Sequence, residues 1–147
     1  MNVYRITTAQ WSKSLTASGY PARWSAKGRF VIYTAGSRAL ACLENLVHRS
    51  GEGNNALYKV MIIEMPETLS IEVLEEAALK KDWHTIDNYS YCQSLGAKWL
   101  NDPASAVLRV PSVVIKKEYN YLINPNHPDF NKIKLAGNED FDFDKRF

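Results

Sequence analysis

The sequence predicts one α+β domain spanning residues 1–147, with mixed or antiparallel β-sheet and helices inserted between hairpins. Three observations carry this. Strand-length apolar runs outnumber helical stretches. The two kinds of segment do not alternate strictly, which fits a mixed α+β domain better than a doubly wound parallel sheet. A hydrophobic share of 46% with 23% charged residues is that of a soluble chain with a packed core.

Val3 to Thr7 is read as the first strand, with Tyr4 and Ile6 on one face and Arg5 on the other. Gly28 to Thr34 is read as the second, around Phe30, Ile32 and Tyr33, so that Arg5 and Tyr33 are expected on a shared surface. Ser37 then caps a helix on which Leu40, Leu43, Leu46 and Val47 recur at helical spacing, and Gly51 stops it after basic His48 and Arg49. GEGNN at 51–55 reads as a surface loop. Tyr58 to Met65 is continuous enough in apolar residues for a central strand covered on both faces. Leu69 to Val73 alternates as a strand, with SIEVLEEAALKK as the rival helical reading. Tyr91 to Leu100 is predicted helical despite Gly96. Strands are expected at Ala106 to Val110, Val113 to Ile115 and Tyr119 to Ile123, and two weaker ones at Lys132 to Leu135 and Phe141 to Phe143.

Composition narrows the function classes. A formal net charge of +2 gives little for a phosphate backbone to bind, so nucleic-acid binding is not expected. Cys42 and Cys92 form no metal-binding or redox motif, and His48, His84 and His127 lack metal-ligand spacing; reduced thiols and no metal are expected. Neither a signal peptide nor a membrane span is visible, so the expected location is the cytoplasm. G-x-G-x-x-G, the P-loop and the G-x-S-x-G elbow are all missing from the sequence, so a nucleotide has to be held some other way.

Four residues stand out as chemistry. Glu44 falls on the side of its helix marked by Leu40 and Val47, away from Arg38, Asn45 and Arg49. A carboxylate there needs a dedicated partner, and a boundary glutamate paired with His48 one turn on is the plainer reading. Arg23 precedes Trp24 in a turn introduced by Gly19 and Pro21; it is either a fork for a phosphate or carboxylate, or a side chain laid over the indole. Tyr33 reads equally as a core aromatic. Ser112 follows Pro111 at a strand junction, where turn chemistry also explains it.

In that order and context, ARWSAKG with Arg23, VIYTA with Tyr33, LACLENLVH with Glu44, LRVPSVVI with Ser112, NYLINPNHPDF and the closing FDFDKRF resemble the RES-domain family, the toxins of RES–Xre toxin–antitoxin modules. Ser25 stands where that family usually has asparagine. The resemblance implies an ADP-ribosyltransferase-like fold and cleavage of NAD at the nicotinamide–ribose bond, by phosphorolysis or hydrolysis, with protein ADP-ribosylation in some members. It implies no cofactor beyond NAD as substrate, inorganic phosphate as one of the acceptors in question, and an Xre-type antitoxin as partner.

By the same resemblance Glu44 is the catalytic carboxylate favouring an oxocarbenium-like transition state. Arg23, assisted by Arg5, clamps the pyrophosphate or a phosphate. Tyr33 stacks on the nicotinamide or bonds a ribose hydroxyl, and Ser112 bonds the nicotinamide amide or ribose. Two other classes remain open on the residues alone. One is a non-catalytic module that binds an acidic partner through Arg5, Arg23, Arg38 and Arg49; the other is a ribonuclease-like toxin using His48 and Glu44 as acid and base.

Overall fold

The computed structural model describes residues 1–48, 56–102 and 104–147. The fold is α+β, as the sequence predicts: the described residues form seven strands in one mixed sheet with two α-helices. The strands are β1 (Asn2–Thr8), β2 (Ile32–Ala35), β3 (Tyr58–Glu64), β4 (Ile71–Val73), β5 (Val107–Pro111), β6 (Tyr119–Ile123) and β7 (Lys134–Phe141). The helices are α1 (Arg38–His48) and α2 (Tyr89–Asn101). In space the strands run β4-β5-β6-β2-β1-β3-β7, antiparallel except for β4 beside β5.

Strand alternation divides the core between the faces of this sheet. Val3, Ile32, Met61, Ile63, Val107 and Ile123 are buried together on one side. On the other, α2 sends Cys92 and Trp99 onto Leu108, Val110 and Leu122, joined by Trp24 and Trp83. Beside that layer, Leu40 and Ala41 of α1 pack on Ile6, Ala35 and Val60.

The sheet is nearly two sheets. β2 pairs with β6 along its whole length and β1 with β3 along its own, but β1 and β2 share the single pair Tyr4–Ala35. Residues of both strands around that pair line one cleft.

Several expectations are met closely. Ser37 caps α1, its Oγ accepting from the Leu40 N–H at 3.1 Å. β3 and α2 fall where apolar pattern placed them. Gly96 is a close approach: a Cβ there would lie 1.7 Å from the Trp24 carbonyl oxygen. The expected stop at Gly51, Arg49 and the 51–55 loop lie outside the described residues.

Other expectations need correction. The second strand begins only at Ile32, leaving Phe30 half-exposed. The helical reading of 70–81 fails: Ile71–Val73 is a strand, followed by one 3₁₀ turn at Glu76–Ala78. Val113 to Ile115 is not a strand, because the Ser112 hydroxyl accepts from the Val114 and Ile115 N–H groups and curls the chain into a turn. The two weak strands near the end are one, β7, which pairs with β3 across a bulge at Ile62/Ile63.

Candidate active site

The cleft has a volume of about 550 Å³, within the ordinary range for a small-ligand site. Its walls come from β1, β2, α1, the turn at 21–24, the start of α2 and the β5–β6 connection. Arg5, Arg23, Tyr33, Glu44, His48 and Asn120 all line it.

Glu44 is the most constrained. Its Oε1 accepts from Ser112 Oγ at 3.0 Å and from Asn120 Nδ2 at 2.8 Å, while Oε2 lies 3.2 Å from His48 Nε2. Partial burial pushes the carboxyl toward protonation, but hydrogen bonds from His48, Asn120 and Ser112 outweigh it and hold Glu44 below the usual carboxylate range. Its helix face differs from the expected one. Val47 is 62% exposed, and Asn45 turns inward to donate to the Ile6 carbonyl at 3.1 Å, so the inward face is Leu40, Ala41, Glu44 and Asn45. The pairing with His48 and the dedicated buried partners both exist, on different oxygens.

Ser112 is buried at 5% exposure and does not line the cleft. Its oxygen already accepts two backbone N–H bonds, so its proton is directed to Glu44. The hydroxyl thus sits behind the carboxylate.

Arg23 does something the sequence reading did not anticipate. Its Nη1 donates to the carbonyls of Trp83 at 3.0 Å and Thr85 at 3.3 Å, its Nη2 to that of His84 at 3.0 Å, and its plane lies 4.6 Å over the Tyr89 ring. Neither side of the earlier alternative describes this: the guanidinium clasps the 83–85 turn and supports the tyrosine at the entrance to α2. Nε has no partner among the described residues, so one edge of the fork is uncommitted.

Tyr33 and Ser25 are bonded, hydroxyl to hydroxyl, at 2.6 Å. Burial pushes the Tyr33 phenol up to about 12, despite hydrogen bonds with Ser25 and the Trp24 backbone. The position where the family usually carries asparagine therefore anchors the cleft tyrosine. Arg5 stands on the opposite sheet face from Tyr4 and Ile6, across from Met61, and Nη1 donates to the Thr16 carbonyl at 2.9 Å. Burial lowers its pKa. Arg5 and Tyr33 still meet one cleft, because residues of both strands around the Tyr4–Ala35 pair line it.

Asn120 was missed as a functional residue, although it opens the NYLINPNHPDF segment. The sequence signal was an asparagine inside an apolar strand, where a donor needs a reason. Among the described residues no group of three or more His, Cys, Asp or Glu side chains is arranged to hold a metal. Among the described residues no helix is long and apolar enough to cross a membrane.

Comparison with known proteins gives a consistent picture. The RES domain family model matches residues 2–144. A Sphingobium sp. protein named Prs ADP-ribosylating toxin is 35% identical over 144 residues, covering 88% of this chain and 89% of its own. A Photorhabdus laumondii protein named Toxin Res is 32% identical over 151 residues, covering 99% and 96%. Among solved structures, a chain of the Mycobacterium tuberculosis MbcT–MbcA toxin–antitoxin complex shares the fold with a TM-score of 0.75 at 18% identity, over 96% of this chain and 84% of that one.

Proposed function

The chain belongs to the RES domain family, and from that membership we propose that it is the toxin of a toxin–antitoxin pair and consumes NAD by breaking the nicotinamide–ribose bond. The observation that carries the chemistry is Glu44: a carboxylate kept ionised by three donors at the wall of a cleft, with two arginines on the same walls.

As the bond breaks, nicotinamide leaves with the bonding pair and positive charge develops on the ribose. An ionised carboxylate beside the ribose is favoured more in that state than in the ground state. Its donors are already in place, so no reorganisation accompanies the charge. Tyr33, anchored through Ser25, offers its ring to the nicotinamide or ribose. Arg5 and the uncommitted edge of Arg23 supply positive charge for the pyrophosphate or for a phosphate acceptor. Ser112 acts through Glu44. The partner in this reading is an antitoxin, supported by the toxin names of the relatives and by the complex in which the structural neighbour is found, and its Xre type rests on the family resemblance alone.

Protein ADP-ribosylation is the second reading, favoured by the name of the 35%-identical Sphingobium relative. One experiment separates these: NAD and its products are resolved by mass after incubation with purified protein, with and without inorganic phosphate and with a protein extract. Phosphate-dependent loss of NAD identifies a phosphorylase, phosphate-independent loss a hydrolase, and transfer to protein the second reading. Glu44→Gln keeps the shape but removes the charge, so turnover is expected to fall about a hundredfold or more while the fold is retained. Full activity in that variant refutes the role of Glu44, and intact NAD in every tube refutes the proposed activity.

A further inference from the structure

Asn120 is the second residue of β6, between Ala35 on β2 and Val110 on β5. Both neighbours are buried and apolar. A side chain chosen for packing at this position would be valine or a similar residue. Instead an amide is present, and it is only half satisfied. Its Nδ2 donates to Glu44 Oε1, whereas its Oδ1 is buried without a partner among the described residues. Turning the amide over would place Oδ1 against the carboxylate, exchanging an orphan for a repulsion. The fold thus tolerates a buried unpaired acceptor, a destabilising feature, in order to direct one N–H at Glu44.

The geometry of the other donors explains what that N–H does. Ser112 also donates to Oε1, from a buried position behind the carboxylate. Two donors on one oxygen, one from the β5–β6 connection and one from β6, fix the carboxyl plane. The second oxygen is left on the side of His48, whose side chain is 62% exposed. Oε1 is thus taken by two donors, whereas Oε2 has His48 beside it.

We propose that Asn120 is a positioning residue for Glu44: with Ser112 it holds Oε1, so that the charged carboxylate faces substrate through Oε2. This rests on the reading of Glu44 as the carboxylate that acts on NAD. The titratable groups around the site are His48 on α1, Arg5 and Tyr4 on β1, Tyr33 on β2, and Arg23 and Tyr89 across the cleft. Of these His48 contacts the carboxylate directly.

Asn120→Val tests the proposal, with Asn120→Ala as companion should the branched side chain not be accommodated. Glu44 is followed by carbon-detected NMR titration of its carboxyl, in parallel with thermal unfolding and NAD turnover. The Glu44 titration is expected at higher pH than in wild type, because a donor to its charged form is gone. The lost bond to the ionised carboxylate lowers stability at neutral pH and removal of the unpaired acceptor offsets it, so thermal stability is expected to change little, while kcat falls about tenfold with KM little changed. A merely structural role moves stability downward and leaves the titration in place. An unmoved Glu44 titration overturns the proposal whatever the activity, and so does a displaced titration with unchanged turnover. A displaced titration in a protein whose wild type leaves NAD intact supports the positioning of Glu44 and refutes the NAD reading alone.

Discussion

Gly96 in the middle of α2 sets two tendencies against each other. Alanine is the better helix former by about 1 kcal/mol, so on propensity alone Gly96→Ala stabilises the protein. The structure predicts the opposite. The new Cβ would lie 1.7 Å from the Trp24 carbonyl oxygen and 2.8 Å from its carbon, where distances under 3.0 Å are essentially never seen. Helix or turn must retreat by more than an ångström, and the contact is backbone, with no flexible side chain to yield. Overpacking of this kind costs about 3 kcal/mol, leaving a net loss of about 2 kcal/mol after the propensity gain. For a chain of this size that lowers Tm by roughly 4–8 °C. The damage is also local to the cleft, because Trp24 lies between Arg23, which clasps the 83–85 turn, and Ser25, which anchors Tyr33. Urea unfolding with parallel NAD turnover measures both. A Gly96→Ala protein as stable as wild type would show that α2 does not need this close approach.

Two further predictions concern charge. Arg23→Ala removes three bonds from a charged donor to backbone carbonyls, and is expected to lower stability by about 2 kcal/mol and to speed hydrogen exchange selectively over residues 83–92; Arg23→Lys, a point charge facing three acceptors, should recover little of this. If exchange in that segment is unchanged, the clasp is not holding the turn. Because Glu44 is held below its ordinary value of 4.5, its contribution to stability is fully present above that pH and is lost as pH falls through the lower folded value. Glu44→Gln should therefore flatten the acid limb of the stability curve measured between pH 6 and 3 by urea titration; an unchanged limb refutes the assignment.

Much of the fold was legible because local chemistry and global packing agreed. Ser37 followed by leucines at helical spacing gave α1, and the run from Tyr58 gave β3. Failures came where one hydrogen bond outranked the pattern. Val113 to Ile115 looks like a strand by composition, yet the Ser112 hydroxyl captures its N–H groups. KLAGNEDF has too little apolar alternation to announce an eight-residue strand, since β7 is an edge with one face in water. The parallel pairing of β4 with β5 is non-local and leaves no mark in either segment. Among the site residues, Glu44 was visible as a carboxylate on a partly apolar helix, but its partners were not: Ser112 and Asn120 are 68 and 76 residues away. Arg23 was conspicuous for the right reason, its fork, while the carbonyls that occupy it belong to a turn with no signature.

Those long separations have a consequence for how the protein comes into being. Glu44 is synthesised early, but two of the groups that hold its carboxylate, Ser112 and Asn120, come 68 and 76 residues later. At about 5–20 residues per second, synthesis of the intervening 76 residues takes roughly 4 to 15 seconds. During that interval β2 lacks its neighbour β6, and the wall of the cleft that carries Asn120 does not exist. The carboxylate is thus made early and armed late. Any chain interrupted before residue 120 carries Glu44 without the full pair of donors that fix its orientation, so the working site cannot take shape until synthesis has passed that point.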